Sequence, residues 1–376
     1  MKIRESGHYV TTIDGYKAFI PEPLPPNPGL KVDKELEDLV FQAHLSLSKL
    51  DGLGCFITPE LQEKIINTYI KKEALLSSQI EGTRATMEDV FAYKQIPLAK
   101  SGEVEQVFNY IEALNYGREM LEKLPICLRL IKEMHAVLLK GGKGMPGSIR
   151  NKQVIIGDLP RHVPPPPDKL NELLKEFEDY LNEESNDYSP LIKCSLLHYQ
   201  FEAIHPFIDG NGRIGRVLIT LYLIWKGIIK TPLLYLSYYF KKNLQEYYDR
   251  LKWVSDKGNF EQWVTFFLNG ILVTVNAVIK TSKDIVSLQD KNRKILLTGK
   301  KVSTTMLLLI EDLILDPVIS IRDVQAKYNV TNKTASNIIY QLIDLGILEE
   351  RDIKRQRDKS FKYSEYIKII KEGTEQ

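Results

Sequence analysis

Residues 205–216, HPFIDGNGRIGR, constrain what this chain can fold into more than any other part of the sequence. A helical pattern at 189–204 precedes them, and a strongly apolar stretch runs from Arg213 to Trp225. We therefore predict two helices joined by a short loop, the second starting near Gly212. A helix that is apolar on nearly all sides packs at the centre of a bundle. The sequence predicts an all-α core built around this loop.

The loop has the composition of a phosphate-binding helix terminus. Gly210 and Gly212 carry no side chain that would keep an anion from the free amides at the positive end of the second helix. Asp209 offers a hard oxygen of the kind that Mg²⁺ takes together with phosphate oxygens. Arg213 and Arg216 are three residues apart, so both would project from one helix face with forked donors. The set fits a metal-bound polyphosphate better than a single phosphate.

His205 is the only group in the loop that titrates near neutral pH. It could accept a proton from an attacking hydroxyl. Each feature also has an ordinary structural explanation: a packed or capping histidine, a glycine turn, or solvated arginines. Their combination within twelve residues favours a functional site.

The loop resembles the signature of the Fic family, HxFx(D/E)GNGRxxR. It matches that signature at His205, Phe207, Asp209, Gly210, Asn211, Gly212, Arg213 and Arg216. The resemblance extends from roughly residue 15 to residue 270. It implies a protein adenylyltransferase with a helical core, which transfers AMP from ATP to a Ser, Thr or Tyr hydroxyl of a target protein or of itself.

The resemblance also implies roles for the loop residues. His205 would be the general base, Asp209 the magnesium carboxylate, and Phe207 the anchor of the loop in the core. Asn211 and the glycine amides would hold the α- and β-phosphates, with Arg213 and Arg216 as outer clamps. The implied ATP-binding residues of this segment are Gly210, Asn211, Gly212, Arg213, Ile214, Gly215 and Arg216.

A second segment, SSQIEG at residues 77–82, is similar to the family's inhibitory motif (S/T)xxxE(G/N). The similarity implies that Glu81, with Ser77 four residues earlier, pairs with Arg216 in the position of the γ-phosphate. The segment precedes the loop, which is typical of the class with an N-terminal inhibitory helix. Removal of AMP, and transfer of other nucleotides or groups, remain open as alternatives on this fold.

Two further regions resemble binding elements of the family. Residues 149–170 are similar to a β-hairpin flap, whose edge strand would pair with the target segment; a buried hairpin fits the pattern equally well. The candidate flap residues are Gln153, Val154, Ile155 and Ile156, within a short β segment at 153–157. Tyr248, with Tyr247 beside it, is a candidate contact to adenine or ribose, although core packing would also explain both. His162 is interpreted as structural.

The 376 residues suffice for two or three domains at ~100 to 200 residues each. We divide them into an N-terminal arm and inhibitory-helix region (1–104), a catalytic core (105–274), a polar, basic connector (275–302) and a small module (303–376). The proline-rich PEPLPPNPGL marks the arm as extended. Thr58 and Pro59 predict a helix start, with Gly82 as its stop.

The last module has the pattern of a winged helix-turn-helix, with helices at 303–315, 320–328 and 332–346 followed by a two-stranded wing. Its basic residues are Arg351, Lys354, Arg355, Arg357, Lys359 and Lys362. A DNA-binding regulator is therefore the alternative function, and dimerisation or target docking would suit such a module too. Family members often dimerise, which leaves a homodimer open.

The composition argues against several kinds of partner and site. The net charge of +2 gives no general case for nucleic acid or an anionic membrane as partner. No secretory signal or membrane-spanning stretch is apparent, so we expect a cytoplasmic protein. Cys55, Cys127 and Cys194 lie far apart, which indicates buried thiols in place of a disulfide framework or zinc site.

Overall fold

A computed structural model of the chain describes residues 4–52, 58–93, 102–142, 144–157, 162–184, 188–298, 302–351 and 359–375. Helices dominate this part of the chain, and its two sheets have two and three short strands. The all-α prediction is therefore confirmed.

The N-terminal arm is not helical, as predicted, but it contains a hairpin that the sequence pattern did not reveal. Strands β1 (Gly7–Thr11) and β2 (Lys17–Pro21) pair antiparallel. Each has only five residues, too few for alternation to stand out. The Phe19 amide donates to the Val163 carbonyl at 2.8 Å, so the arm lies against the proline-rich segment at residues 163–167.

Helices α1 (Lys34–Asp51) and α2 (Pro59–Ile80) follow the arm. The start of α2 is as predicted, because the Thr58 side chain accepts a hydrogen bond from the Leu61 amide and Pro59 occupies the first turn. Glu81 caps its C-terminus, and Gly82 follows with a φ of 97°. This boundary puts Glu81 at the exit of a helix whose second half is almost entirely buried.

The centre of the bundle is the pair α7 (Pro190–Ile204) and α8 (Asn211–Trp225), joined by the loop at 205–210. Both helices are buried on nearly all sides, as their apolar sequences predicted. Around them pack α2 and three helices introduced here, α4 (Gly102–Met120), α5 (Leu128–Leu138) and α6 (Leu170–Asn182). The short helix α3 (Met87–Phe91) contacts α2 and α4.

After α9 (Ser237–Lys242) and α10 (Leu244–Lys257), one 39-residue helix, α11 (Phe260–Thr298), runs through most of the predicted connector. The connector predicted at 275–302 is helical as far as residue 298. Val278, Ile285 and Leu288 recur at helical spacing and are buried, and the polar residues between them lie on the other faces. No glycine or proline interrupts residues 271–298.

By length and composition alone, α11 could also cross a membrane, which the sequence analysis did not anticipate. More than half of its most apolar 18-residue window, 56%, is buried within the protein. Burial to this extent is typical of a core helix in a folded domain.

The three helices predicted for the last module are present as α12 (Thr304–Asp312), α13 (Ile321–Tyr328) and α14 (Asn332–Asp344). Strands β3 (Val318–Ser320), β4 (Glu349–Glu350) and β5 (Ser360–Lys362) form a sheet in the order β3-β5-β4, and α15 (Ser364–Ile370) follows. Residues 352–358, which include Lys354, Arg355 and Arg357, lie outside the described residues. The winged-helix assignment stays a prediction.

This module packs against α2. The Thr68 and Tyr366 hydroxyls are 3.0 Å apart in the interior, and Lys64 pairs with Asp312 at 2.9 Å. The predicted burial of the cysteines holds for Cys194, whereas Cys127 is half-buried. Cys55 lies outside the described residues.

Candidate active site

The N-terminus of α8 is an uncapped helix end. Gly210 occupies the N-cap position with a φ of 81°, and it offers no side chain to accept a hydrogen bond from the first turn. The Ile214 amide already donates to the Gly210 carbonyl at 3.0 Å. This leaves the amides of Asn211, Gly212 and Arg213 without intrahelical acceptors, at the positive end of the helix dipole. Such an end binds anions.

The preceding loop is held by a closed set of hydrogen bonds. The Asn211 side chain accepts from the Phe207 amide at 2.8 Å and donates to the Phe207 carbonyl at 2.9 Å. Phe207 is fully buried, as predicted, and stacks on His135 with ring centroids 3.7 Å apart. His135 Nδ1 accepts from the Gly147 amide, so Nε2 carries the proton and donates to the Asp209 carbonyl at 2.9 Å. His135 was not foreseen from the sequence.

This arrangement changes how three of the predicted ATP-binding residues can act. The Asn211 side chain is occupied in closing the loop, so only its backbone amide faces the helix end. Ile214 is buried in the core and offers no free amide. Gly215 packs against α7, where an added Cβ would lie 2.3 Å from Glu202 Oε1. Gly215 is therefore required for helix packing.

His205 ends α7 with a φ of 50°, and this left-handed turn carries the chain into the loop. Arg150 fixes the turn by donating from Nε to the His205 carbonyl at 2.8 Å. Burial, with the neighbouring His162 and Arg150, lowers the pKa of His205 to about 3. Its Nδ1 is buried and has no hydrogen-bond partner in the described part of the chain. His205 is thus a neutral imidazole at physiological pH, the form that can accept a proton.

Asp209 and Arg213 lie beside the same helix end. Asp209 Oδ1 accepts from the Gly210 amide at 2.6 Å and from Arg213 Nη2 at 3.2 Å, while its side chain remains 58% exposed. Arg213 is buried, and its Nε lacks a partner among the described residues. Both line a cavity of about 250 Å³ together with Asn109 and Leu139. A buried cation with unsatisfied donors beside a cavity is suited to an anionic ligand.

Glu81 reaches the helix end from the opposite side. Its Oε1 lies 2.6 Å from Arg216 Nη2, and a Cβ on Gly212 would fall 2.3 Å from the same oxygen. Ser77 accepts two further bonds from Arg216, from Nε to Oγ at 2.7 Å and from Nη2 to the carbonyl at 2.9 Å. The Glu81 carboxylate therefore lies directly over the first turn of α8. We expected the Arg213 and Arg216 guanidiniums to face the same phosphates. Instead, Arg213 pairs with Asp209, and Arg216 bonds Glu81 and Ser77.

The flap differs from its prediction. Residues 153–157 form no strand; one isolated bridge joins Ile156 to His162, with the Ile156 amide donating to the His162 carbonyl at 3.0 Å. Gln153 donates to the Pro164 carbonyl, which bends the segment back on the proline run. Ile155 is exposed and Val154 half-exposed. Residues 158–161 lie outside the described residues.

The two tyrosines have different surroundings. Tyr247 is core, because its hydroxyl bonds His198 Nε2 at 2.9 Å within an aromatic cluster. Tyr248 is half-buried, with its ring 5.3 Å from that of Tyr247. His162 is structural as interpreted, since its Nε2 contacts the Ala203 carbonyl at 3.1 Å. Tyr248 as a nucleoside contact stays a prediction.

A helix pair joined by a short loop in a helical bundle, with an uncapped terminus suited to anions and a histidine at the preceding turn, is the arrangement of a Fic-type fold. Comparison with known families agrees: residues 125–223 match the Fic/DOC family and residues 38–119 match the Fic/DOC family N-terminal region. The chain thus contains a Fic domain at residues 125–223, preceded by a Fic N-terminal region at residues 38–119.

Individual relatives agree with this placement. The chain is 31% identical over 229 residues to the protein adenylyltransferase Fic of Drosophila grimshawi, and equally identical to that of Drosophila willistoni. Each match covers 57% of this chain but only 45% and 44% of the relatives, so the chain spans less than half of their length.

Two solved structures show the fold. A Fic family protein from Desulfovibrio desulfuricans G20 superimposes with a TM-score of 0.55 at 21% identity, covering 86% of this chain and 95% of that one. Fic-1 from C. elegans superimposes with a TM-score of 0.51 at 22% identity, covering 66% and 73%.

Proposed function

We propose that this chain is a protein adenylyltransferase that transfers AMP from ATP to a protein hydroxyl and is held inactive by Glu81. The observation that carries the proposal is the ion pair between Glu81 and Arg216 over the free amides of α8. A carboxylate already lies where an anionic phosphate would bind. The relatives named protein adenylyltransferase support the reaction class.

The residues of the loop would have separate roles in binding the nucleotide and its metal ion. The amides of Asn211, Gly212 and Arg213 would receive the phosphate oxygens, and the Arg213 and Arg216 guanidiniums would neutralise the outer phosphates. The second, uncommitted oxygen of Asp209 fits Mg²⁺, which takes one or two carboxylates and completes its shell with phosphate oxygens and water. When bound, Mg²⁺ would withdraw charge from the pyrophosphate that leaves.

Among the described residues, no group of three or more His, Cys, Asp or Glu side chains is placed to hold a metal ion.

The transfer itself needs one proton acceptor. The acceptor hydroxyl would attack the α-phosphorus in line, forming an O–P bond while the bond to the bridging oxygen of pyrophosphate breaks. Neutral His205 would take the hydroxyl proton. The low pKa of the ligand-free imidazole would rise when the triphosphate places negative charge beside it, which brings the base closer to its working range.

The proposal is tested by incubating the full chain with ATP labelled at either the α- or the γ-phosphate. We expect Glu81→Gly to incorporate the α-label into protein and to leave the γ-label in pyrophosphate. Incorporation of the γ-label would make the chain a kinase. Absence of any label from each α-labelled nucleoside triphosphate, with ATP binding intact, would contradict nucleotidyl transfer. Label removal on prolonged incubation of the wild type would reveal the de-AMPylation alternative.

DNA binding through residues 303–376 remains the second candidate. The first turn of α14 is polar and exposed, with Asn332, Lys333 and Thr334 open to solvent. Three basic residues of the described wing are engaged within the chain: Arg351 and Lys362 pair with Glu88, and Lys359 pairs with Glu350. These ion pairs reduce the charge available to phosphates. A salt-dependent mobility shift of duplex DNA by the full chain would support this function, and no shift at low salt would remove it.

A further inference from the structure

Arg150 is a buried arginine whose side chain donates only to main-chain carbonyls. It is 2% exposed, and among the described residues no carboxylate pairs with it. Burial lowers the pKa of the guanidinium to about 10, so the side chain stays charged at neutral pH. A buried charge without a counter-ion is stable only where hydrogen bonds and dipoles take its place. The carbonyls that Arg150 bonds therefore indicate its role.

Two of these carbonyls belong to the end of α7. Nε of Arg150 donates to the His205 carbonyl at 2.8 Å, and Nη2 donates to the Ile204 carbonyl at 3.4 Å. The Arg150 amide also donates to the Pro206 carbonyl at 2.9 Å. The last carbonyls of a helix have no intrahelical partners and lie at the negative end of the helix dipole. Arg150 thus caps the C-terminus of α7 at the turn that carries His205.

The other two carbonyls belong to the two sides of the flap. Nη1 of Arg150 donates to the Lys152 carbonyl at 3.1 Å, and Nη2 donates to the Pro165 carbonyl at 2.6 Å. His162, which lies between them in the chain, also reaches α7, because its Nε2 contacts the Ala203 carbonyl at 3.1 Å. One planar guanidinium therefore joins both sides of the flap to the end of α7.

The backbone of His205 needs contacts that hold it. Its φ of 50° is left-handed, a conformation that is unfavourable for residues with a side chain and persists where the surrounding structure enforces it. In the described part of the chain, the His205 amide donates to the Phe201 carbonyl at 3.0 Å, and the His205 carbonyl accepts from Arg150. The first bond belongs to α7, so Arg150 supplies the hold on the loop side of the turn.

Resting on the adenylyltransferase function above, we propose that Arg150 is a positioning residue, which holds the His205 turn and the flap together as one unit so that the imidazole meets the acceptor hydroxyl in a fixed geometry. Arg150 touches none of the reacting atoms in this role and acts through His205. A shift of about 1 Å in a catalytic group can cost ~10²-fold in rate, so loss of this hold should slow the transfer step. ATP binding should be spared, because the phosphates would bind the first turn of α8.

The test uses Arg150→Lys in the Glu81→Gly background, because lysine keeps the charge but replaces the planar fork with one ammonium group, which cannot span all four carbonyls. Arg4→Lys is the matched control, since the Arg4 side chain is also largely buried. Arg4 pairs with Glu261 and donates to carbonyls of a different hydrogen-bond network, those of Pro28, Gly29 and Gly258. Binding of MgATP is measured by titration calorimetry, and kcat by incorporation of α-label. Thermal unfolding of each variant verifies the fold.

We expect Arg150→Lys to lower kcat about 10- to 100-fold, with the Kd for MgATP changed less than about twofold. In a chain that also carries His205→Ala, the same substitution should lower kcat less than about threefold, because the group that Arg150 positions is absent. Arg4→Lys should leave kcat and Kd unchanged in both backgrounds. Equal losses with and without His205, an unchanged kcat, or the same loss in the control would overturn the proposal.

A second variant is used if Arg150→Lys does not fold. Arg150→Ala leaves a space lined by the four carbonyls, and methylguanidinium is added to occupy it. We expect kcat to recover with methylguanidinium concentration in the chain that has His205 and not in the chain that carries His205→Ala. Absence of this recovery, or failure of both variants to fold, would overturn the proposal.

Hydrogen exchange of two backbone amides separates this proposal from the proposed function. The His205 amide donates to the Phe201 carbonyl, and the Ile156 amide donates to the His162 carbonyl in the flap. Both amides should exchange at least about tenfold faster in Arg150→Lys than in its parent or in Arg4→Lys. If Glu81→Gly transfers no nucleotide, the adenylyltransferase assignment fails, and the exchange rates still test whether Arg150 holds the turn and the flap together. If transfer occurs and neither kcat nor exchange responds to Arg150→Lys, the positioning role fails alone.

Discussion

Removal of the Glu81 carboxylate is the perturbation for which the structure gives the clearest expected magnitude. Glu81 Oε1 lies 2.6 Å from Arg216 Nη2, and Arg216 is 2% exposed whereas the Glu81 side chain is 39% exposed. A hydrogen bond to a charged group contributes about 1.5–3 kcal/mol, and solvent around the carboxylate reduces that value. We take about 2 kcal/mol as the free energy by which Glu81 competes with a phosphate, which corresponds to roughly 30-fold in rate.

Glu81→Gly should therefore raise the initial rate of α-label incorporation about 30-fold over wild type at subsaturating ATP. Glu119→Gly serves as the control, because Glu119 also lies at the C-terminal end of a helix, α4, and is exposed. Glu81→Gln should give a smaller increase, since the amide oxygen can still accept from Arg216 without the charge. A Glu81→Gly rate within twofold of both wild type and the control, in a folded protein, would refute Glu81 as the inhibitory group.

Four further predictions concern the helix end and its loop. In the Glu81→Gly background, His205→Ala should bind ATP within about twofold of its parent yet lose roughly 10²- to 10⁴-fold in transfer rate; near-normal labelling would show that another group is the base. Asp209→Asn should raise the magnesium concentration for half-maximal transfer about tenfold or more, and an unchanged magnesium titration would remove Asp209 as the ligand. Gly212→Ala, whose Cβ would lie 2.3 Å from the Glu81 oxygen, should lower transfer about tenfold or more even without Glu81; the same rate as its parent would mean that phosphate does not approach this amide. Phe207→Ala should lower the free energy of unfolding by about 3–5 kcal/mol in urea titrations, whereas a loss below 1 kcal/mol would argue against its anchoring role.

Several features of the site were predictable because they depend on residues close together in the chain. The Thr58 cap, the helix that ends at Glu81 and the α7–loop–α8 unit all follow from spacings of three or four residues. Ser77 and Glu81 lie on one face of α2 for the same reason, and both contact Arg216. Local hydrogen bonding and helical periodicity act within one or two turns, so they can be read directly from the sequence.

Other features could not be predicted because they depend on which segments meet. The polar stretch after residue 275 was expected to connect two domains, but packing of its apolar positions makes it part of α11. The Asn211 side chain was expected to face phosphate, yet it closes the loop on the Phe207 backbone. In both cases the residue type allowed two roles, and the tertiary surroundings selected one.

The sequence by itself determined the kind of site: a glycine-lined helix start, a histidine before it, a metal-type carboxylate, two arginines and an acidic residue at the end of another helix. Only the tertiary structure decided which of these groups have free donors and which are occupied. Tyr110 and Ser237, for example, reach the buried Glu73 carboxylate from 37 and 164 residues away along the chain. The physical reason is that a buried polar group must find its partners wherever the fold brings them, and sequence spacing does not record that distance.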